Sequence, residues 1–488
     1  MKLSKLIKDL KDYKTENFKD LEIEDITASS LEVQKNSLFF AYKGNNLDGR
    51  DFIVEAISKG AVAIVTDRAF ECLIPQIIVD DVYLAMSKIA SKFFEPTKTP
   101  VKIIGIVGTN GKTTTSYIMQ SILNKAGYNV GVIGTLGVYY NKHKISSDLT
   151  TPDSISLHST LNDMSNEGVD YCVLELSAHA IAQKRCASIK FECLIFTNCT
   201  QDHLDYFKDF NEYENTKTSV FTEDNAKSFA VNSDSKTGVK ILNKNLKNTI
   251  SYGLNNPADV FAINIKQKFN RTEFLMNVLD EIEGVNFNMT GIFNVQNCLG
   301  ATACATLLGV DVKTIKEGII SCEAVKGRMQ FVENYNGANI YVDFAHTPDG
   351  VENTLKSLRQ ITDNKLYVLF GCGGNRDKSK RKIMGRIASQ FADFTIITSD
   401  NPRYEEPYSI IMQIENGVRE NTLNYITIQN RYVATGYAIE KLRPGDTLAI
   451  LGKGAEEYQE IMGVKVRYSD VESVKDIIAK IGLGGELI

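Results

Sequence analysis

The sequence predicts an α/β protein of three parts, each built on a mostly parallel sheet, and three observations carry that prediction. Short apolar runs alternate with helix-length stretches along the whole chain. One of them, at 101–107, runs straight into a glycine-rich turn, and breaks fall near 96–100 and 326–327. Strands that alternate with helices pair in parallel through crossover helices, and such sheets gather ligand groups at the carboxyl ends of their strands. A chain of 488 residues has the length for about three domains of ordinary size. The reading therefore divides it into 1–98, 99–326 and 327–488.

Taken in order, the first part holds apolar runs at 37–42, 62–66 and 76–79, read as strands, and a helical pattern at 85–94, which together make a small α/β module. The middle part opens with the strand at 101–107 and continues with strands at 171–176, 193–197 and 228–231. The last part repeats the alternation at 340–343, 366–370, 394–398 and 447–451. No internal repeat and no low-complexity tract interrupts this order.

Composition narrows the function classes. Hydrophobic residues make up 43% of the chain, enough for each part to bury a core. The formal net charge of −5 gives no basic footprint, so nucleic acid is not an expected partner. The amino terminus, MKLSKLIKDLKDY, is amphipathic without a continuous apolar core, and nothing approaches the roughly 20 apolar residues of a membrane span. The expectation is a cytoplasmic protein with no membrane partner. Nine cysteines include no CxxC pair and several sit inside apolar runs, which reads as buried thiols in a reducing compartment. The five histidines show no zinc-site spacing.

The turn at 105–115 reads GIVGTNGKTTT. A strand, a glycine turn and a helix start in that order point backbone N–H groups at an anion, and the anion expected here is a nucleotide phosphate. Gly108 and Gly111 let the backbone close around phosphates, Lys112 supplies a point charge, and the Thr113 hydroxyl is placed for Mg²⁺. Thr109, Asn110 and Thr114 complete the expected ATP-binding turn. The longer phosphate-loop pattern has glycine where this chain has Ile106, so the motif is the shorter G-T-N-G-K-T form.

Strand ends supply the next candidates. The run at 171–176 ends in ELSAH, which puts Glu175 at a strand tip as a second Mg²⁺ ligand. The strand at 193–197 is followed by NCTQDHLD, with His203 as a candidate ligand on the strength of its position. Lys217 follows in ENTKT, where spacing alone gives a solvated surface lysine.

In this order the fragments GTNGKTTT, TTPDS, ELSAHAI, DHLDYF with a following helical lysine, GIFNVQN, GRMQ, VDFAHTPD, GCGGNRDKSKR, SDNPRYEEP and GKGAEEYQ resemble the bacterial Mur ligases, most closely the MurE type, over the whole chain. The resemblance implies a three-domain architecture: a UDP-binding α/β module, a central phosphate-loop ATPase domain and a Rossmann-like third domain. It implies that Lys217 carries a CO₂-derived carbamate and, with His203 and Glu175, holds one of two Mg²⁺ ions, the other sitting between Thr113, Glu175 and ATP. Lys112, Lys217, His203 and Glu175 are then the catalytic set. Asn294 and Asn297 are implied near the adenine, and Arg328, Asp343 and His346 near the ribose and phosphates. Ser30, Thr150, Thr151, Ser177, Gln183 and Arg185 are implied to hold the UDP-sugar peptide. The first module reads Ser29-Ser30-Leu31 where the family has Asp-Ser-Arg.

For the acceptor amino acid, Asp400, Asn401, Pro402 and Arg403 match the DNPR segment of enzymes that add meso-diaminopimelate. Arg376 matches a second guanidinium, and Gly452 and Glu456 match the residues that receive the distal amine. A guanidinium suits bidentate carboxylate binding, and a site built for it is left with a buried unpaired charge when lysine enters, at a cost of about 2–5 kcal/mol. The alternative for Arg403 is an ion pair with Glu405 or Glu406. Ala455 stands where the diaminopimelate-adding type commonly has His.

The implied reaction is ATP-dependent. The γ-phosphoryl group passes to a carboxylate of UDP-N-acetylmuramoyl-L-alanyl-D-glutamate, and the acceptor amine then attacks the acyl phosphate, the enzyme acting as a monomer. Two rivals are a ligase of the same type that takes L-lysine and a folylpolyglutamate synthetase-like ligase. A regulatory GTPase would need an N-K-x-D segment, which does not follow the loop at suitable spacing.

Overall fold

The computed structural model describes residues 1–44, 47–147 and 149–482, so the last six residues of the expected third part lie outside the described residues. The chain packs as two units. One comprises Met1–Gly105, Tyr128–Cys193 and Ser219–Lys227; the other comprises Ile106–Gly127, Leu194–Thr218 and Ser228–Ile488.

The first unit holds a five-stranded sheet in the order Tyr13–Glu16, Gln76–Val79, Ala61–Thr66, Ser37–Ala41, Asp25–Thr27, parallel except for its first pair. Successive strand residues face opposite sides, and the core shows it. Leu38, Phe40, Ala63, Val65, Ile77 and Val79 pack under the helix Val82–Phe93, while Phe39, Ala41 and Ile64 pack on the other face. That helix begins three residues before the predicted 85–94, because the Asp81 side chain accepts from Leu84 N–H at 2.9 Å and caps it. The same unit pairs Tyr171–Leu176 in parallel with Val130–Gly134, which continues into the antiparallel hairpin Gly137–Tyr140 and His143–Ile145.

The strand Lys102–Val107 leaves the first unit at Gly105 and enters the second, where it delivers the glycine turn to the helix Lys112–Lys125. The strand Cys193–Phe196 enters the second unit at Leu194 and runs parallel to Phe229–Asn232, Thr249–Gly253 and Val260–Gln267, and Thr272–Val278 and Glu281–Phe287 add antiparallel strands.

A six-stranded sheet follows in the order Gln330–Tyr335, Ala338–Asp343, Thr447–Leu451, Leu366–Phe370, Phe394–Ile397, Tyr425–Thr427, with only the first pair antiparallel. Both faces are buried. Val368, Phe370, Ala449 and Leu451 meet the helices Pro348–Arg359, Ser379–Phe391 and Pro407–Val418, while Leu369, Leu448 and Ile450 meet Arg431–Lys441 and Asp470–Gly482. That is why these strands read as unbroken apolar runs.

The α/β, mostly parallel expectation holds, and the strands at 76–79, 366–370 and 447–451 have the bounds read from sequence. The antiparallel strands were not read. Their patterns are too mixed to stand out, as in Glu281–Phe287, where apolar Ile282 is exposed and the buried residues come only at Val285 and Phe287. Among the described residues no disulfide forms and six of the nine thiols are buried. No helix among them is long and apolar enough to cross a membrane.

Candidate active site

The phosphate turn is held in shape by its neighbours. Gly111 sits at φ +86°, a left-handed conformation, and a Cβ there would lie 2.2 Å from Asn297 Oδ1; a Cβ on Gly108 would lie 1.8 Å from Thr197 Oγ1. Neither glycine has room for a side chain. The end of the strand Cys193–Phe196 backs the turn: Thr197 Oγ1 donates to Asn110 O at 2.7 Å, and Asn198 Oδ1 accepts from Asn110 N–H at 2.9 Å. Lys112 Nζ lies over the turn, donating to Gly108 O at 2.9 Å and Thr109 O at 3.0 Å. The helix that starts at Lys112 buries Thr113 and Thr114 at 3% exposure each. Loop amides and a helix N-terminus converge here, the arrangement that binds phosphate.

Lys217 corrects the surface reading. It lies on the helix Phe210–Thr218 and is 1% exposed. Its Nζ is 2.8 Å from Thr109 Oγ1, 2.5 Å from the Tyr213 hydroxyl one helical turn earlier, and 4.0 Å from the centre of the Tyr213 ring. Burial pushes the amine's pKa well below the ordinary lysine value, and the charge of Lys112 adds to that. The helix sequence FNEYENTKT shows no apolar stripe that would have signalled this burial.

His203 stands at φ +55° beside Asp202, whose Oδ1 accepts the His203 backbone N–H at 2.9 Å. Asp202 was not among the expected site residues, yet it is the centre of a charge cluster. His203 Nε2 lies 3.4 Å from its carboxylate, Lys380 Nζ 3.7 Å and His346 Nε2 3.9 Å. Burial raises the Asp202 pKa, but His203, Lys380 and His346 outweigh burial and hold it below the ordinary value. Lys380, in the GCGGNRDKSKR segment, is itself 7% exposed. His346 Nδ1 lies 2.9 Å from Phe344 O, which accepts from it, and burial together with Lys380 lowers the ring's pKa, although 40% of the side chain remains open to solvent.

Residues from 328 onward join this turn. Arg328 NH2 donates to Thr113 Oγ1 at 3.0 Å and its guanidinium stacks 4.4 Å from the Phe344 ring centre. Asn110 Nδ2 donates to Asp349 Oδ2 at 2.8 Å. Asn294 and Asn297 are bonded to each other at 3.2 Å, with Asn297 against Gly111. Asp343 accepts from Met329 N–H at 2.5 Å, Ala345 N–H at 2.9 Å and Thr354 Oγ1 at 3.1 Å, so its carboxylate fixes the chain entering and leaving its own strand.

In the first unit, Glu175 is 1% exposed at the end of Tyr171–Leu176. It accepts from Thr135 N–H at 3.0 Å and Thr135 Oγ1 at 3.1 Å, and a Cβ on Gly134 would strike it. Thr151 Oγ1 donates to Glu175 O at 2.7 Å and accepts from Ser177 N–H at 3.0 Å. Arg185 donates to Thr151 O at 2.6 Å and Gln183 Oε1 at 2.6 Å, and Thr150 Oγ1 is 3.2 Å from Thr135 Oγ1. Five of the six residues expected for the sugar peptide thus form one network around the Glu175 strand end. The sixth, Ser30, bonds elsewhere, its hydroxyl to Glu55 at 3.1 Å and its carbonyl to Lys59 at 3.0 Å.

The acceptor candidates form a second network. Asn401 Oδ1 accepts from Lys453 Nζ at 3.0 Å and Glu460 N–H at 2.9 Å, and Asn401 Nδ2 donates to Glu456 Oε2 at 2.9 Å. Lys453, fully buried and missed in sequence, also reaches Glu456 at 2.8 Å. Gly452 sits at φ +112° with Asp400 Oδ2 2.6 Å from where its Cβ would be. Burial raises the Asp400 pKa, and Lys453 and Arg431 more than reverse that, leaving it lowered. Pro402 O lies 1.9 Å from a Cβ built on Gly374, closing the DNPR turn against the GCGG loop.

Arg403 is 20% exposed and pairs with Glu460 at 3.0 Å; Glu405 belongs instead to Arg381. The surface pairing of Arg403 with Glu405 or Glu406 is therefore not what forms. Arg376 is half exposed, 3.8 Å from Asp205, and a Cβ on Gly373 would touch both Arg376 and Arg403.

Residues 22–105 match the model described as Mur ligase family, catalytic domain; residues 106–305 match the Mur ligase middle domain; and residues 327–454 match the Mur ligase, glutamate ligase domain. The chain is 38% identical over 488 residues, 99% of its length and 100% of the other's, to a Clostridium tetani protein named UDP-N-acetylmuramoyl-L-alanyl-D-glutamate--2,6-diaminopimelate ligase. It is 39% identical over 464 residues, 95% of each chain, to the Aquifex aeolicus protein of that name. A solved structure of a ligase of that name superposes with a TM-score of 0.69 at 28% identity, covering 94% of this chain and 95% of the other.

Proposed function

The chain belongs to the Mur ligase family, whose members are ATP-dependent, ADP-forming ligases, and from that premise we propose that it joins meso-diaminopimelate to UDP-N-acetylmuramoyl-L-alanyl-D-glutamate in peptidoglycan precursor synthesis. The relatives named for that reaction support it across the full length. The observation that carries the acceptor is the seat of Arg403: a guanidinium four-fifths buried, in a turn laced by Asn401, Lys453 and Glu456. A second, distal carboxylate is what distinguishes diaminopimelate from lysine, and a guanidinium fork is the group suited to receive it with two parallel hydrogen bonds.

ATP's phosphates lie on the turn 108–111 and the N-terminus of Lys112–Lys125, with Lys112 exchanging its carbonyl contacts for phosphate oxygens. Asn294 and Asn297 border the adenine, and Arg328, Asp343 and His346 border the ribose and phosphates. Thr150, Thr151, Ser177, Gln183 and Arg185, with Ser30, hold the UDP-sugar peptide, and Arg376, Asp400, Asn401, Pro402, Arg403, Gly452 and Glu456 hold the diamino acid. The substrate carboxylate attacks the γ-phosphorus, ADP leaves, and the acceptor amine displaces phosphate from the acyl phosphate, giving the amide. No nucleophilic side chain is needed. The residues position the reactants and stabilise charge.

The family uses Mg²⁺ with ATP. Mg²⁺ takes one or two carboxylates and completes its shell with phosphates and water. Thr113, His203, Glu175 and a carbamylated Lys217 are the residues that would hold two such ions, whose chemistry is to offset charge on the transferred phosphoryl group. The lowered pKa of the Lys217 amine supports carbamylation, since only a neutral amine adds CO₂. We read three domains, at 1–98, 99–326 and 327–488; three matched family models in succession support a three-part chain. The reading keeps the enzyme a cytoplasmic monomer.

The test is phosphate release by the purified protein with ATP, Mg²⁺ and UDP-muramoyl dipeptide, comparing meso-diaminopimelate, L-lysine and L-ornithine. Turnover with diaminopimelate well above the others is expected. Faster turnover with lysine overturns the acceptor, and release stimulated by a folate rather than the dipeptide overturns the reaction.

A further inference from the structure

The acceptor network contains a carboxylate that no expectation assigned. Glu460 lies on the hairpin Tyr458–Ile461 and Val464–Arg467, and this hairpin holds Arg403 by backbone and side chain together. Arg403 N–H donates to Glu460 O at 3.0 Å, Met462 N–H donates to Arg403 O at 2.8 Å, and Arg403 and Ile461 form a parallel bridge. These bonds fix the arginine at φ +51°, a left-handed backbone that a non-glycine residue keeps only when its surroundings impose it. On the side chain, Arg403 Nε donates to Glu460 Oε2 at 3.0 Å and NH1 donates to Gly374 O at 2.8 Å.

A guanidinium has five N–H donors in a planar fork. The Nε hydrogen is directed to Glu460 and one NH1 hydrogen to Gly374. The end of the fork, formed by NH2 and the second NH1 hydrogen, is the edge with the spacing for a bidentate carboxylate. Glu460 and Gly374 together lock the plane of the group, so the end-on edge is presented in one orientation. A long arginine side chain held this way gives up its rotamer freedom on folding rather than on substrate binding.

We infer that Glu460 is the positioning residue for Arg403, presenting the end of its guanidinium to a carboxylate of the incoming diamino acid and so setting the affinity for that substrate. This rests on the reading that Arg403 receives diaminopimelate. Glu460 touches no reacting atom in that reading, so its effect falls on acceptor binding and leaves the phosphoryl step alone.

Steady-state kinetics of Glu460→Gln, Glu460→Asp and Glu460→Ile, each also made in an Arg403→Ala background, test it. With Arg403 present, the Gln and Ile variants raise the KM for meso-diaminopimelate on the order of tenfold, within the range of coupling between contacting residues. The kcat and the KM values for ATP and UDP-muramoyl dipeptide stay within about twofold, since coupling is confined to the contacting pair. Glu460→Asp keeps a carboxylate and recovers part of the loss. In the Arg403→Ala background the Glu460 changes have no further effect. A KM for diaminopimelate that is unchanged or falls in Glu460→Gln overturns the inference, the fall showing a carboxylate that competes with substrate. An effect of equal size without Arg403 overturns it too, as a merely structural one. If the unmodified enzyme does not use diaminopimelate at all, the reading beneath has failed and takes this inference with it; normal diaminopimelate turnover with indifferent Glu460 variants fails this inference alone.

Discussion

A lysine amine 1% exposed, with two hydroxyls and an aromatic face as its surroundings, is costly to bury, and Lys217 is the residue that carries the proposed carbamate. Burial favours the neutral amine, which is the form that adds CO₂, and the product is a carboxylate on a long arm. Lys217→Ala is therefore expected to lose most phosphate-release activity, and added formate or acetate is expected to restore part of it by supplying the missing carboxylate. Assay with and without the small acid decides: full activity in the variant, or no rescue in a variant with unchanged nucleotide binding, removes the carbamate from the mechanism. Little of this residue's setting was legible beforehand. The phosphate turn announced itself because glycines, lysine and threonine must occur in one short order, whereas the burial of Lys217 depends on Thr109, 108 positions earlier, and a polar helix that hides it.

At the scale of elements, the fully buried parallel strands were readable because both their faces lie under helices and no polar residue breaks the run, as in Leu366–Phe370. The half-exposed antiparallel strands and the hairpin at 458–467 were not, and with the hairpin went Glu460, the partner of Arg403. The DNPR turn shows the same division. Its motif was legible, but which carboxylate pairs with which guanidinium was settled by the fold: Arg381, fully buried, takes both oxygens of Glu405 at 2.9 Å. That pair ties the helix Ser379–Phe391 to the turn, and Arg381 also donates to Gly373 O at 3.1 Å. Hydrogen bonds from Arg381 hold the Glu405 carboxyl down at about 2, burial opposing them. A carboxyl whose pKa is lower folded than unfolded adds stability above the unfolded value and loses it as the pH falls through the folded one. Glu405→Gln is accordingly expected to be less stable at neutral pH, by about 1.5–3 kcal/mol for lost hydrogen bonds to a charged group. The deficit should shrink between pH 4.5 and about 2 as the native carboxyl protonates. Urea unfolding of both proteins across that range checks it, and a deficit that does not depend on pH assigns the loss to packing.

For the whole molecule, the decisive contacts join residues far apart in the chain, and none of them has a local signature. Asn110 in the phosphate turn is bonded to Asp349, 239 positions later, and Thr113 to Arg328, 215 positions later. Both arise within the second unit, so the turn proposed to hold the nucleotide is ordered by the last third of the chain as much as by its own residues. Asp349 stands at the start of the helix Pro348–Arg359, where it also accepts from Asn353 at 3.1 Å. Burial raises its pKa, and the bonds from Asn110 and Asn353 oppose that without reversing it. The sign is therefore the opposite of Glu405: ionising Asp349 costs the folded state, and stability falls as the pH rises from the unfolded value through the folded one. An amide at this position can accept the same bond from Asn110 without carrying the charge. Asp349→Asn is expected to bind ATP as the parent does and to be at least as stable at pH 7. Asp349→Ala leaves Asn110 without that acceptor and should raise the KM for ATP about three- to tenfold, the size of one lost hydrogen bond. Measuring ATP dependence of phosphate release in both variants separates the possibilities: if the Asn variant is impaired as severely as the Ala variant, the negative charge itself is what the turn requires, and the account of Asp349 as a neutral-tolerant tether fails.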